Sequence, residues 1–170
     1  MFDVKEKCQA VFYVGLSQQL LPILEKSTNY GYASTAIDLC WQWIEQQNVD
    51  AQALFSLYHD EDDHGVESVM EMVYEPTKWN AWGCISGALL YTASCAYIHE
   101  KKPLPETLED MDSDEVQSFF INCYSSVTGE SQVPKLFYEF LQQASDEEVT
   151  ESNIRTKLAE FALLDDPSDS

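Results

Sequence analysis

Acidic side chains are concentrated between residues 60 and 75, and they are the residues of this chain best suited to bind another group. The stretch has seven carboxylates and no Lys or Arg: Asp60, Glu61, Asp62, Asp63, Glu67, Glu71 and Glu75. The spacing of four between the last three predicts one stripe on a helix, opposite a face of Val and Met residues. Such a stripe is either a solvated helix face or a surface for a cationic partner.

The same stretch partly matches the template of a calcium-binding loop. The ligand positions and the glycine turn would be Asp60, Asp62, His64, Gly65 and Glu71. However, His64 places a nitrogen where calcium prefers oxygen, Glu67 replaces an apolar residue, and there is no second loop to pair with. We therefore expect no metal and no cofactor.

Catalytic motifs are missing from the sequence. The three histidines, His59, His64 and His99, lie in predicted loops or at predicted helix ends, and no GxSxG, HExxH or Gly-rich phosphate loop occurs. Pairs of carboxylates carry little information in so acidic a chain. We expect no catalytic residues and a protein that is not an enzyme.

The net charge favours a basic partner. Thirty acidic residues against nine basic ones give a formal charge of −21, with 45% hydrophobic residues. A disordered acidic chain would be poor in apolar residues, so this composition indicates a folded core with a negative surface. That surface repels nucleic acid and anionic lipid, and we expect neither as a partner.

Helical periodicity recurs along the chain, and no segment alternates long enough for a strand. The sequence predicts an all-α single domain over residues 1–164, with seven to eight helices around a central apolar helix at about 79–98. Residues 165–170 are predicted to be a disordered acidic tail. The uncharged run 79–98 has the length of a membrane span, but its interspersed Asn, Ser and Thr residues favour a buried core helix.

Local signals predict several helix bounds. The first helix is expected over 4–24, with Pro22 kinking or ending it, and the fourth is expected to stop before Pro76. On the helix over about 113–124, Val116, Phe119, Phe120 and Cys123 are predicted to share one inner face. Ser145 and Glu148 form a capping-box pattern that predicts the start of the last helix.

Five cysteines without a CxxC pair favour small buried thiols in a reducing compartment. Together with the lack of a clear signal-peptide cleavage site, they favour a cytoplasmic location.

Two aromatic side chains are candidate anchors for a partner. Trp41 and Trp43 are two residues apart, so we expect that they do not face the same core. Trp43 then either covers a helix junction or is exposed as an interface anchor. Tyr74, within the acidic stretch, is the second candidate.

The segment from Ala36 to Glu45, AIDLCWQWIE, resembles the Cys-Trp-x-Trp-Ile helix of a helical class of bacterial immunity proteins, immunity protein family six. The acidic loop at 60–64, the Trp-rich helix 81–97 and the loop at 104–106 before the helix from Asp114 agree in kind and order. The resemblance covers about residues 11–124. It implies a cytoplasmic inhibitor of a cognate toxin domain in polymorphic-toxin or contact-dependent growth inhibition systems, where the toxins are commonly nucleases.

Charge and resemblance together predict an immunity protein that neutralises a basic toxin domain through the acidic stretch, with Tyr74 or Trp43 as an anchor. The alternative from the same charge pattern is a helical adaptor that binds a basic host protein and has no toxin partner.

Overall fold

The computed structural model describes residues 4–164, which form nine α-helices and two short 3₁₀ turns, without a strand. The helices are α1 (Val4–Gln18), α2 (Leu21–Leu24), α3 (Tyr30–Gln46), α4 (Ala51–Tyr58), α5 (Val66–Glu71), α6 (Pro76–His99), α7 (Asp114–Thr128), α8 (Val133–Gln143) and α9 (Glu151–Leu164). The 3₁₀ turns are Glu106–Leu108 and Asp146–Glu148. The all-α prediction is confirmed, whereas the predicted tail 165–170 lies outside the described residues.

Helix α6 is the centre of the fold, as predicted. It is packed by α1, α3, α4 and α7, so most of its 24 residues are buried. Pro76 occupies its first turn, where a missing N–H costs no helical hydrogen bond. By length and composition α6 could also cross a membrane, but 83% of its most apolar window is buried inside the protein. That burial is typical of a core helix.

Small residues allow α7 to approach α6 closely. A Cβ added at Gly87 would lie 3.1 Å from the Phe120 ring, and one at Gly83 would lie 3.4 Å from the Cys123 sulfur. Phe120 and Cys123 are buried in this contact. Gly87 therefore allows the close approach at Phe120, whereas a side-chain carbon at Gly83 would make an ordinary contact.

The predicted first helix is divided into two. Helix α1 ends at Gln18, a turn follows in which Leu20 N–H donates to the Ser17 carbonyl at 2.9 Å, and Pro22 lies in the first turn of α2. This division accounts for nine helices where seven to eight were expected. The interruption occurs before Pro22 because the proline lacks the N–H that a continuous helix requires.

Helices α8 and α9 cover the side of α1 that faces away from α6. At Gly15 a Cβ would lie 2.9 Å from Ile154 Cγ2 and 3.1 Å from the Phe137 ring. The capping box at Ser145 and Glu148 is present, but it begins the second 3₁₀ turn rather than the last helix. Helix α9 starts at Glu151, after a buried Val149 that leaves helical geometry.

The cysteines are free thiols, as predicted, with four buried and Cys8 half-buried. Burial raises the pKa of the Cys40 thiol to about 12, which keeps it protonated and unreactive at neutral pH.

Candidate functional site

The first acidic segment, residues 60–75, comprises the loop after α4, helix α5 and the connection to α6. A Cβ added at Gly65 would lie 2.3 Å from the Tyr58 carbonyl oxygen. Only glycine allows the loop to pass so close to the end of α4. This close approach holds the start of α5, and the buried Val66 and Val69 fix its apolar side.

The four consecutive acids at 60–63 form a tight turn that orders its own backbone. The Asp62 N–H donates to Asp60 Oδ1 at 3.0 Å, and the Asp63 N–H donates to the Asp60 carbonyl at 3.0 Å. Asp63 has the left-handed conformation, with φ of 60°. Glu61, Asp62 and Asp63 are exposed, and among the side chains described, those of residues 7–164, none of the four carboxylates forms an ion pair.

Glu67 has a partner. His59 Nδ1 lies 2.6 Å from Glu67 Oε2 on the surface. The hydrogen bond to Glu67, followed by its charge, raises the pKa of His59. Glu67 and Glu71 remain on the same helix, spaced by four as predicted.

The predicted stripe does not extend to Glu75. Helix α5 ends at Glu71, and the chain tightens as Met72 N–H donates to the Val69 carbonyl at 3.1 Å. Glu75 is extended, with φ of −74° and ψ of 122°, because a residue before proline is disfavoured in helical geometry. Its carboxylate lies 3.5 Å from Lys78 Nζ.

Trp43 is not an exposed anchor. Its side chain is 1% exposed, and its ring lies edge-to-face against His99 at the end of α6, with centroids 6.2 Å apart. Trp41 is also buried, and its Nε1 donates to Gln18 Oε1 of α1 at 3.0 Å. Of the two alternatives for Trp43, burial at a helix junction therefore holds: α3 contacts both α1 and α6, so each ring is buried on a different side of the helix.

Tyr74 does face solvent and is 90% exposed. Close to it along the chain, Trp79 lies in the first turn of α6 and is 37% exposed. The Trp79 ring packs edge-to-face on Phe119 of α7, with centroids 6.1 Å apart. Phe119 was assigned to the inner face of its helix by the sequence pattern, and the structure places it at the surface beside Trp79.

The exposure of Phe119 follows from the face that α7 buries. The buried side chains of α7 are Phe120, Cys123 and Tyr124, and adjacent helical residues point about 100° apart. Phe119 therefore lies at the edge of the buried face. An apolar stripe made of Phe120, Cys123 and Tyr124 alone, at the spacing i, i+3 and i+4, would have predicted from the sequence that Phe119 lies outside the buried face.

Chemical sites of other kinds receive no support from the described part of the chain. Among its His, Cys, Asp and Glu residues, no group of three or more is arranged to hold a metal ion. Three surface clefts of about 340 to 380 Å³ lie away from the first acidic segment, and none of the three is lined by a histidine.

Comparison with known proteins agrees with the helical pattern. The model of the family described as immunity protein Imm6 matches residues 8–127, which include α3, the first acidic segment, α6 and nearly all of α7. No curated protein and no solved structure gives a significant match. The matched range is well over half of the chain, so this protein belongs to the Imm6 family of immunity proteins.

Proposed function

We propose that this protein binds a cognate bacterial toxin domain in the cytoplasm and blocks it by stoichiometric occlusion, without turnover. In this proposal the toxin is a basic nuclease and the first acidic segment contacts it. The observation that carries the proposal is the ordered turn at residues 60–63, whose carboxylates form no ion pair among the described side chains. Membership of the immunity family supplies the class of partner.

Electrostatics gives the physical basis. A nuclease must attract phosphate and therefore carries positive charge near its active site. Carboxylates that are already oriented before binding complement such a surface, accelerate association and disfavour uncharged partners. The total charge of −21 adds long-range steering toward a basic protein.

The first test is genetic. Production of this protein should restore growth of bacteria that express the toxin domain encoded by the neighbouring gene, and rescue should require equimolar amounts. Failure to rescue, with both proteins present and soluble, contradicts the proposal and favours the adaptor that binds a basic host protein.

The location of the interface is tested by charge reversal. The triple variant Asp62→Lys, Glu67→Lys and Glu71→Lys should weaken toxin binding by about two orders of magnitude, because steering and charge complementarity change association by about 10–10³. The measurement is the dissociation constant by titration calorimetry, with circular dichroism to establish that the helices are retained.

The matched control reverses three exposed carboxylates of a second acidic segment, residues 106–115, in the variant Glu109→Lys, Asp110→Lys and Asp112→Lys. Its net charge changes equally. Binding that falls to the same extent in both variants would show that only total charge matters. Unchanged binding in the first variant would remove the first acidic segment from the interface.

A further inference from the structure

We infer that Tyr74, Trp79 and Phe119 form the apolar anchor of the toxin interface and receive Arg or Lys side chains of the toxin. We call these three residues the aromatic patch. The inference rests on the proposed function and adds α7, which the acidic stretch alone does not include.

The backbone brings the patch together. The Trp79 N–H donates to the Glu75 carbonyl at 2.9 Å in the first turn of α6, and Tyr74 directly precedes Glu75. Trp79 and Gly83 are four residues apart on α6, and a Cβ at Gly83 would lie 3.8 Å from the Phe119 ring. Phe119 therefore lies beside Trp79 where α6 and α7 meet, and the two rings are in contact there.

Exposure separates this patch from ordinary surface residues. Phe119 is 50% exposed although it contacts another aromatic ring, and Met72, at the end of α5, is exposed as well. Isolated exposed apolar residues are normal, whereas a group of them marks an interaction site. Among the side chains of residues 7–164 the other large exposed apolar ones are Ile98, Tyr138, Leu163 and Leu164.

Carboxylates surround the patch. Glu71 ends α5 and Glu75 precedes α6, while Glu115 lies one helical turn before Phe119 on α7, and all three are exposed. Lys78 is the cation of this region, and its Nζ lies 3.5 Å from Glu75. The surroundings of the three rings are therefore predominantly negative.

Charge complementarity selects the occupant. An Arg or Lys side chain gains from the face of an aromatic ring and from a nearby carboxylate at the same time. A second copy of this chain would bring another −21 charges against the same surface, and an anionic lipid would be repelled. A basic protein surface satisfies both the rings and the carboxylates.

The experiment compares exposed apolar residues inside and outside the patch. The toxin domain encoded by the neighbouring gene, inactivated by substitution, is titrated with wild-type protein and with Phe119→Ser. The matched control is Ile98→Ser, because Ile98 is also 50% exposed but lies at the other end of α6. Tyr74→Ser is the second variant, since a side chain that is 90% exposed contributes little to folding, and Tyr138→Ser is its control.

We expect Phe119→Ser and Tyr74→Ser each to weaken binding about 30-fold or more, the size typical of an interface hot spot. Both control variants should bind like wild type. Modification of the toxin with phenylglyoxal and acetic anhydride should identify an Arg or Lys that wild type protects and that Phe119→Ser leaves accessible.

Three results would overturn the inference. If wild type binds and both patch variants bind like their controls, the aromatic patch is outside the interface while the proposed function stands. If binding weakens but the same Arg and Lys residues stay protected, the rings do not receive basic side chains. If wild type does not bind, the proposed function fails and this inference fails with it.

Discussion

The first acidic segment, residues 60–75, and the second, residues 106–115, carry seven and six carboxylates respectively, but they direct their large apolar side chains differently. In the second segment Leu108 and Met111 are buried. In the first, Val66 and Val69 are buried, but Met72 and Tyr74 point to solvent at its end. Charge density therefore does not distinguish the segments, whereas the direction of their apolar side chains does.

The carboxylates also differ in how they are held. In the first segment Glu67 pairs with His59, Glu75 pairs with Lys78, and Asp60 accepts from the backbone of its own turn. Among the described residues no ion pair involves the second segment. Oriented carboxylates beside exposed rings suit a specific partner, whereas the carboxylates at 106–112, which lie over a buried apolar base, suit solubility.

The largest expected effect on stability belongs to the second segment. Leu108→Ala should lower the free energy of unfolding by about 2–4 kcal/mol, because it empties a buried site against α6. Urea denaturation measures the loss, and Thr107→Ala, at an exposed neighbour, is the control. Toxin affinity of the folded variant should stay at the wild-type value, and a loss of affinity would place both segments in the interface.

A smaller loss is expected from Gly65→Ala in the first segment. The added Cβ would meet the Tyr58 carbonyl, so the loop must shift, at a cost of about 1–3 kcal/mol as in other overpacked sites. Thermal denaturation measures the change. Gly31→Ala, where a Cβ meets nothing within 4 Å, should be neutral or stabilising.

Gly65→Ala should weaken toxin binding as well, because the carboxylates at 60–63 move with the loop. This outcome would distinguish it from Leu108→Ala. Equal toxin affinities for the two variants would show that toxin binding does not depend on the exact position of the 60–63 loop. The structural difference between the two segments would then not explain which of them binds the toxin.

The parts of the fold that depend on one strong signal were predictable from the sequence. The uncharged run at 79–98 favoured a helix buried on most sides, and the structure has α6 there. The predicted stop before Pro76 is also found, since α5 ends at Glu71 and Glu75 is extended. Each signal is local, so no knowledge of neighbouring elements was required.

The predictions that failed concern residues whose burial or conformation depends on neighbouring residues and helices. Trp43 was a candidate anchor because a helix with one buried side cannot bury it together with Trp41, but α3 has two buried sides. Glu75 was placed on a stripe by its spacing, while the following proline ended the stripe. Phe119 was assigned to the core with Phe120, and only the position of α7 on α6 separates these two rings.

The smallest expected effect concerns the His59–Glu67 pair. Its hydrogen bond and charge raise the pKa of His59, so Glu67→Gln should lower that pKa toward its ordinary value. Since the folded pKa lies above the unfolded one, the pair stabilises the protein below the unfolded pKa. That contribution is lost as pH rises through the folded pKa.

NMR titration of the His59 ring signals measures the change, and Glu71→Gln is the control. It removes the same charge four residues away, yet Glu71 is not among the groups that act on His59. If the two variants titrate alike, Glu67 is no better oriented than a carboxylate without a partner. The order of the carboxylates would then no longer distinguish the first segment from the second. The remaining difference would be the exposed ring of Tyr74, which lies near Trp79 and Phe119.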